Sequence, residues 1–466
     1  MSLRIFSSLR ITREEAREFF DMLIPILVEQ LSMSSIGMLI SFFVKNSGME
    51  AIASVDLLNS VNYVINQSFV AVGVGVAVVV AQYRGRGDPR ATGKVAQQGV
   101  MIGALLALGV GSVCYILREI ILKLLLKDSA PLIYEYSRTY ITYSLWAMPF
   151  SAVYYVATAA IRGSGNPRAS LIAVLIYNGC YSILAFISST FTNAGLLGVS
   201  RALLISYVIA AIAGYLLMCR GNEHMRVGRF QVKFDKAVLS PMIKVGVPVL
   251  FENILFSFGR LITQTFSISY GTNSMAANGI VANFNSILSV PIMAASNAAP
   301  PIVGRRCGKG DNEGAMRASI QLVLLVIIAQ IIISTFGLIL LVPLSKMMSG
   351  VPEVQTITRQ VLLLQLIIMP VGFPLAFVVP AAMRSSGDTK FVLYVNVATM
   401  FTMRIGMAYY LTQVLRVGVS GIWIGMYADW VVRIGLYMPR FLNGKWLRHS
   451  LFERTTNPIQ SGTGAK

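Results

Sequence analysis

Charge is scarce in this sequence. Of its 466 residues, 13% are charged and 55% are hydrophobic, and the mean hydropathy is +0.67. A soluble domain needs a polar surface to face water, so this composition excludes an ordinary soluble protein. Seven long segments carry no charged residue, and about five more carry one to three. Because about 20 apolar residues cross a bilayer as a helix, the sequence predicts an all-α integral membrane protein with about twelve transmembrane helices.

Histidine and cysteine are nearly absent, with two histidines and four scattered cysteines. Without a CxxC pair or a His-Cys cluster, we expect free thiols and no bound metal. No GxxxxGK[ST] motif is present, which excludes a P-loop ATPase. A membrane-embedded enzyme would need clustered catalytic groups, so we predict a protein that is not an enzyme and has no cofactor. Any uphill transport would then depend on a coupling ion, H⁺ or Na⁺.

Acidic residues are half as common as basic ones, 20 against 39, which gives a net charge of +19. Twenty-six basic residues fall in the N-terminus, the C-terminal tail and the loops that follow even-numbered helices, and eight fall in the opposite loops. The positive-inside rule therefore places both termini in the cytoplasm of a prokaryote, beneath its plasma membrane. We expect the basic loops to contact the lipid bilayer. Nucleic acid is not expected as a partner, because no basic stretch belongs to a soluble fold.

An internal repeat divides the chain into two halves. The segment IPILVEQ, with Glu29, matches VPVLFEN, with Glu252. RGSGNPR, from Arg162, matches RSSGDTK, from Arg384, at nearly the same offset along the chain. Since each half holds an even number of helices, we expect two parallel, pseudo-symmetric six-helix lobes. The predicted divisions are an amphipathic N-terminus (1–20), an N-lobe (21–219), a linker (220–240), a C-lobe (241–443) and a tail (444–466).

The glycine-rich segments RGRGDP, RGSGNP, GKGD and RSSGD faintly resemble phosphate-binding loops. None follows a β-strand, which argues against nucleotide binding. Glycine suits the C-terminal end of a helix, and the following Asp or Asn suits the start of the next one. We therefore predict tight turns between helices at these four places.

A few ionisable residues lie inside the predicted spans, where such groups are costly and commonly functional. Glu29 and Glu252 each follow a proline by four residues near the start of a half, and we predict that they bind the coupling ion or the substrate. Asp429 and Arg433 are spaced i,i+4, which favours a structural ion pair on one helix face.

Uncharged polar residues also recur in these spans, mainly on the second and eighth. They are candidates for the lining of a central cleft, although hydrogen bonds between helices are the alternative interpretation. With the charged Arg260, this predicted set comprises the uncharged residues Gln30, Asn62, Asn66, Gln67, Asn178, Asn253, Asn278, Asn283 and Asn285.

The repeated PxxxE starts, GxGD loops and R-[GS]-S-G-[ND] turns, in this order and spacing, resemble the multidrug and toxic compound extrusion family. The resemblance covers residues from about 21 to 446. It implies two six-helix lobes around a central cleft. It also implies antiport of protons or sodium against small organic solutes, such as cations or drugs. We expect the chain to function as a monomer.

The sequence departs from the family in its N-lobe. Many members carry an acid in the first helix where this chain has Ile40, and an Asn and an Asp on the fifth helix where it has Tyr181 and Ala185. Together with several arginines inside the spans, this leaves a second hypothesis open, a flippase for a lipid-linked or amphiphilic intermediate. The substrate itself is not determined by the sequence.

Overall fold

The computed structural model describes residues 12–44, 49–126, 131–191, 194–229, 234–448 and 451. These residues form twelve long helices and a closing 3₁₀ turn. The helices are α1 (Arg13–Val44), α2 (Met49–Arg86), α3 (Pro89–Leu125), α4 (Pro131–Gly163), α5 (Pro167–Thr190), α6 (Gly195–Arg220), α7 (Lys236–Ile268), α8 (Gly271–Leu288 and Val290–Lys309), α9 (Asn312–Met348), α10 (Pro352–Ser386), α11 (Thr389–Val414) and α12 (Ser420–Leu442).

Length and composition confirm the membrane assignment. Within the described part of the chain, nine helices are long and apolar enough to cross a bilayer, and bent α8 makes a tenth. The two others carry buried ionisable side chains, Glu29 on α1 and Asp429 and Arg433 on α12. Large apolar residues such as Leu124 on α3 and Ile339 on α9 are mostly exposed, which suits contact with lipid tails.

The four glycine turns are confirmed. Each glycine has a positive φ, between 72° and 112°, which a residue with a side chain rarely adopts. The turns are Gly87-Asp88, Gly165-Asn166, Gly310-Asp311 and Gly387-Asp388. In the first three, the side chain after the glycine accepts a hydrogen bond from a backbone N–H of the next helix. In the fourth, Asp388 binds Arg440 instead, at 2.6 and 3.1 Å.

Two helix boundaries differ from the sequence-based divisions. A capping box starts the first helix, since the Glu15 N–H donates to Thr12 Oγ1 at 3.2 Å and the Thr12 N–H donates to the Glu15 carboxylate at 3.1 Å. The helix it starts continues without a break at residue 20, however, and runs to Val44. Helix α7 begins at Lys236, inside the predicted linker, because the Asp235 side chain caps its first turn. Residues 1–11 of the predicted amphipathic N-terminus and 452–466 of the tail lie outside the described residues.

Helix α8 bends by 44° at Ser289. The cause is Pro291, which lacks an N–H and whose ring collides with the carbonyl four residues before it. A further pair of prolines opens the wider turn Pro300–Gly304 in the second part of the same helix. The bend carries this second part of α8 against α1, α2 and α10.

The two halves interlock through their first helices. Phe19, Met22 and Ile26 of α1 join the core formed by α8, α9, α10 and α12 of the second half. In the same way, Val238 and Met242 of α7 join a core of the first half. This exchange occurs at the end of the bundle where the four glycine turns lie, which we call the basic end. Each half therefore contributes one helix to the hydrophobic interior of the other.

The lobes also touch directly at the basic end. Glu18 on α1 contacts Arg305 and Arg306 on α8, at 2.9 and 3.1 Å. The Gln82 side chain on α2 donates to the carbonyl of Ser385 on α10 at 2.8 Å. Ion pairs and hydrogen bonds thus join the halves at the same end at which their helices are exchanged.

Two ion pairs at the basic end predict opposite mutational outcomes. Asp388→Asn should lower the free energy of unfolding by about 2 kcal/mol, because Asp388 is 4% exposed and accepts two hydrogen bonds from Arg440. Lys94→Ala should cost less than about 1 kcal/mol, because Lys94 and Asp235 are both well exposed. Thermal melting in detergent measures both, and equal losses would contradict the prediction.

The exposed pair also has a defined pH dependence. The hydrogen bond from Lys94 lowers the pKa of Asp235 below its ordinary value. A carboxylate with a lowered pKa contributes its stabilisation at neutral pH and loses it as the pH falls through that lowered value. The Lys94–Asp235 contact should therefore persist in mildly acidic solution.

Candidate functional site

A buried glutamate–arginine pair lies at the inner face of the first half. Arg162, in the last turn of α4, donates from Nη1 to Glu29 Oε1 on α1 at 2.5 Å. The Ser170 hydroxyl on α5 donates to the other carboxylate oxygen at 3.0 Å. The Glu29 side chain is 2% exposed, so its charge is compensated by protein groups and not by water.

The second half repeats this pair. Arg384, in the last turn of α10, donates from Nη1 to both carboxylate oxygens of Glu252 on α7, at 3.1 and 3.2 Å. The Asn396 side chain on α11 donates to Glu252 Oε1 at 2.6 Å. The Tyr437 hydroxyl donates to Asn396 Oδ1 at 2.5 Å. Glu252 is 18% exposed, which makes it the more accessible of the two carboxylates.

The sequence predicted the two glutamates and missed their partners. Arg162 and Arg384 open the RGSGN and RSSGD segments, in which the glycines predict turns between helices. The structure instead places both arginines in the preceding helical turn, with side chains directed inward. The repeat itself was a usable signal, since it sets the two pairs at nearly the same offset.

A cavity of about 110 Å³ lies where α2, α4, α8 and α10 meet. Arg162 and Arg384 both line it, together with Tyr155 and a strip of valines on α2. The repeat relates five pairs of lining positions: Gly73 with Ser296, Val74 with Asn297, Ala77 with Pro300, Ala159 with Ala381, and Arg162 with Arg384. Because equivalent residues of both halves meet here, the cavity lies on the pseudo-twofold axis.

The predicted pair of Asp429 and Arg433 is present and is part of a larger cluster. Arg433 Nε donates to Asp429 at 2.7 Å, and both side chains are almost fully buried. Arg404 on α11 lies 3.6 Å from the other Asp429 oxygen, an ionic contact too long for a hydrogen bond. Its guanidinium also stacks 4.5 Å from the ring of Phe256 on α7. The cluster ties α7, α11 and α12 together away from the cavity lining.

The ten polar residues predicted for a cleft lie elsewhere than in this cavity lining. Six take part in hydrogen bonds between helices: Asn62 with Ser144, Asn178 with Ser32, Asn253 with the backbone carbonyl of Gln67, Asn278 with Trp423, and Asn285 with Gln365. Arg260 stacks on Tyr63 at 4.9 Å, Gln30 and Asn66 are half-buried, and Asn283 is exposed. A role of these residues in a wider cleft stays a prediction.

The interior of the first half is filled by aromatic side chains where the family carries acids. Tyr181 is buried and stacks on Tyr177, which in turn lies 4.5 Å from Tyr207. Ala185 is buried in the same core. The side chain of Ile40 lies outside the described part of the structure. Packed tyrosine rings cannot supply a carboxylate, so Glu29 is the carboxylate that the described interior of this half offers to an ion.

Comparisons with known proteins agree with this architecture. A probable multidrug resistance protein NorM from Thermotoga maritima is 25% identical over 450 residues, covering 95% of each chain. An FAD transporter from Shewanella oneidensis is 21% identical over 369 residues, covering 78% of this chain and 80% of its own. A MOP superfamily transporter from Pyrococcus furiosus, solved and described as having a binding pocket of reverse polarity, superposes with a TM-score of 0.82. That structure is 18% identical and the match covers 92% of this chain and 96% of the other.

The match to a family model repeats the internal symmetry. The MatE model matches residues 25–187 and again residues 248–410. The second match begins as far beyond the first as Glu252 lies beyond Glu29. Two matched segments that together span most of the chain, at the spacing of its own repeat, show that the chain belongs to the MatE family of multidrug and toxic compound extrusion transporters.

Proposed function

We propose that this multi-pass membrane transporter is a secondary-active exporter of organic solutes, driven by a proton or sodium gradient, that works by alternating access. The observation that carries the proposal is the pair of partly buried Glu–Arg contacts, one per half, whose arginines line one axial cavity. Multidrug relatives support export of small organic molecules. We further propose that the basic end faces the cytoplasm, as its basic loops favour. The lobe contacts there then represent a state closed to the cytoplasm.

The pairs offer a route from ion binding to lobe movement. A proton on Glu29 or Glu252 removes the carboxylate charge and releases its arginine, and a sodium ion would compete with the guanidinium for the same oxygens. Each pair joins the first helix of a half to the fourth. Because the starts of α1 and α7 pack into the opposite half, a change at either pair reaches the lobe interface.

Glu252→Gln should reduce solute-triggered ion movement at least tenfold. The reason is that glutamine keeps the shape of the side chain but cannot ionise, so it forms no ion pair with Arg384. Purified protein in liposomes with a lumenal pH dye measures this, with cationic, neutral and anionic solutes at zero and high sodium. Glu313→Gln, an exposed carboxyl at the start of α9, is the matched control and should retain the wild-type rate. A Glu29→Gln/Glu252→Gln double variant that transports at the wild-type rate would end the proposal.

A flippase for an amphiphilic intermediate is the second candidate. It is favoured by the two guanidiniums at the cavity, which suit a phosphate group. The relative named as an FAD transporter and the neighbour described with a pocket of reverse polarity are consistent with a solute other than a cation. Movement of a fluorescent phospholipid between leaflets of reconstituted vesicles, measured by dithionite quenching, separates this candidate from the first.

A further inference from the structure

The two charged side chains that line the axial cavity are both cationic. Arg162 and Arg384 belong to its lining, whereas their partners Glu29 and Glu252 do not. The lining contains no carboxylate among the described residues. A cationic group entering the cavity would therefore meet two like charges before any opposite one, which disfavours its binding.

Both arginines retain unused donors. A guanidinium has five N–H groups, and each arginine uses only Nη1 to donate hydrogen bonds to its glutamate. Among the described residues, neither Nε nor Nη2 of these two side chains has a hydrogen-bond partner. Guanidinium N–H groups bind carboxylate and phosphate oxygens strongly, and two such groups converge on one space.

A neutral donor lies in the same wall. The Ser296 hydroxyl is buried without a hydrogen-bond partner among the described residues, and the next residue, Asn297, also lines the cavity. An unpaired buried hydroxyl is costly unless a ligand or water completes it. The position equivalent to Ser296 in the first half is Gly73, so the repeat itself does not require a hydroxyl here.

The size of the cavity limits what it can hold. Its volume is about 110 Å³. Drug-sized ligands need pockets of about 300–1,000 Å³. The space therefore fits one small charged group, with Val70, Val74 and Val78 beside it as an apolar surface for the adjoining part of a solute.

We propose that this cavity binds the anionic group, a carboxylate or phosphate, of an amphiphilic solute between Arg162 and Arg384. The inference rests on the proposed function, because it names the class of solute that the same cleft carries. It also supplies a driving force, since an anion that leaves a negatively charged cytoplasm moves down the membrane potential. Such a solute would be attracted by the released arginine when Glu252 loses its charge.

Binding by purified protein in uncharged detergent tests the inference. The probes are phenyl phosphate, its neutral analogue benzyl alcohol and the cation phenyltrimethylammonium, measured by calorimetric titration. We expect phenyl phosphate alone of the three to bind, and an Arg162→Gln/Arg384→Gln variant to bind it at least tenfold more weakly. Glu252→Gln should bind it more tightly than wild type, because no carboxylate then neutralises the charge of Arg384. A fold defect would weaken binding in both variants, so opposite changes separate recognition from structural damage.

Several outcomes are decisive. Binding of the cation in preference to the phosphate, or equal phosphate binding by wild type and the double arginine variant, would overturn the inference. If the double variant fails to fold, Arg162→Lys/Arg384→Lys replaces it. This variant retains both positive charges but loses the paired N–H donors of the guanidinium, so it should bind phenyl phosphate with intermediate affinity. A short-chain phosphatidic acid is the fourth probe. If it binds more tightly than phenyl phosphate, the anionic group is that of a lipid headgroup. If it binds more weakly, the anionic group belongs to a soluble solute.

The reconstituted transport assay keeps this inference apart from the proposed function. Ion-coupled export of a cation with no anion binding would leave the function standing and end the inference. If the protein binds the anion through its arginines but transports none of the solutes, the inference stands and the proposed function fails.

Discussion

Replacing Asp429 with asparagine should lower the free energy of unfolding by about 3–5 kcal/mol, the cost of leaving a buried charge without its partner. Asp429 is fully buried between Arg433 at 2.7 Å and Arg404 at 3.6 Å. One carboxylate already serves two cations, so removing its charge leaves two like charges in a dry interior. A melting temperature in detergent, together with the fraction of monodisperse protein on size exclusion, measures the loss.

A double variant provides the control. Arg404→Met removes the second cation and keeps an unbranched chain beside the Phe256 ring, where a thioether packs favourably. Asp429→Asn/Arg404→Met should therefore recover part of the lost stability, and the double-mutant cycle gives the coupling energy. If Asp429→Asn alone costs less than about 1 kcal/mol, the cluster is not held by charge compensation.

The sequence predicted one of the two ion pairs in this cluster, the one between residues that are close together in the chain. Asp429 and Arg433 are spaced i,i+4 on one helix, and helical geometry alone brings them together. Arg404 lies on the preceding helix, α11, in a segment where wider turns over Met400–Met407 change the direction of its side chains. Its contact with Asp429 depends on how α11 packs against α12, which no local pattern encodes.

The same distinction applies to the candidate site. The repeat predicted Glu29 and Glu252 as equivalent, and it predicted glycine turns that the φ angles confirm. It could not show that the residue before each turn, Arg162 or Arg384, returns inward to bind the glutamate. A guanidinium in the last turn of a helix has a long side chain that can reach a loop, a lipid headgroup or the interior. Tertiary packing selects the interior here.

The packing of each half's first helix into the opposite half could not be predicted from the sequence either. The order of the repeat assigns α1 to the first half, since all six of its helices precede the linker. Phe19, Met22 and Ile26 nevertheless pack against the second half. A repeat reports the order of helices along the chain, whereas their neighbours follow from the apolar faces they present in three dimensions.

Adding a methyl group to two glycines should hold the lobes apart at the basic end. A Cβ on Gly85 of α2 would lie 2.1 Å from the carbonyl oxygen of Arg305, and a Cβ on Gly308 of α8 would lie 2.1 Å from that of Gln82. These two positions are equivalent in the repeat, and in both the obstacle is backbone, which cannot rotate away. The two helices approach this closely only because both residues lack a side chain.

The expected size of the effect follows from the cost of such overlaps. An overpacked contact costs about 1–3 kcal/mol, and about 1.4 kcal/mol shifts a two-state equilibrium tenfold. Gly85→Ala/Gly308→Ala should therefore shift the population at least tenfold toward the state open at the basic end. Because alternating access requires both states, transport should fall by a similar factor.

Accessibility of the cavity distinguishes this outcome from simple misfolding. In a background without native cysteines, Asn297→Cys places a thiol in the cavity wall, and a membrane-impermeant maleimide reports which side reaches it. The glycine double variant should be labelled faster from the basic end and more slowly from the opposite end than its parent. Gly109→Ala, on α3 with open space around it, is the matched control and should change neither rate. Unchanged labelling in the double variant would mean that α2 and α8 do not form the closure between the lobes.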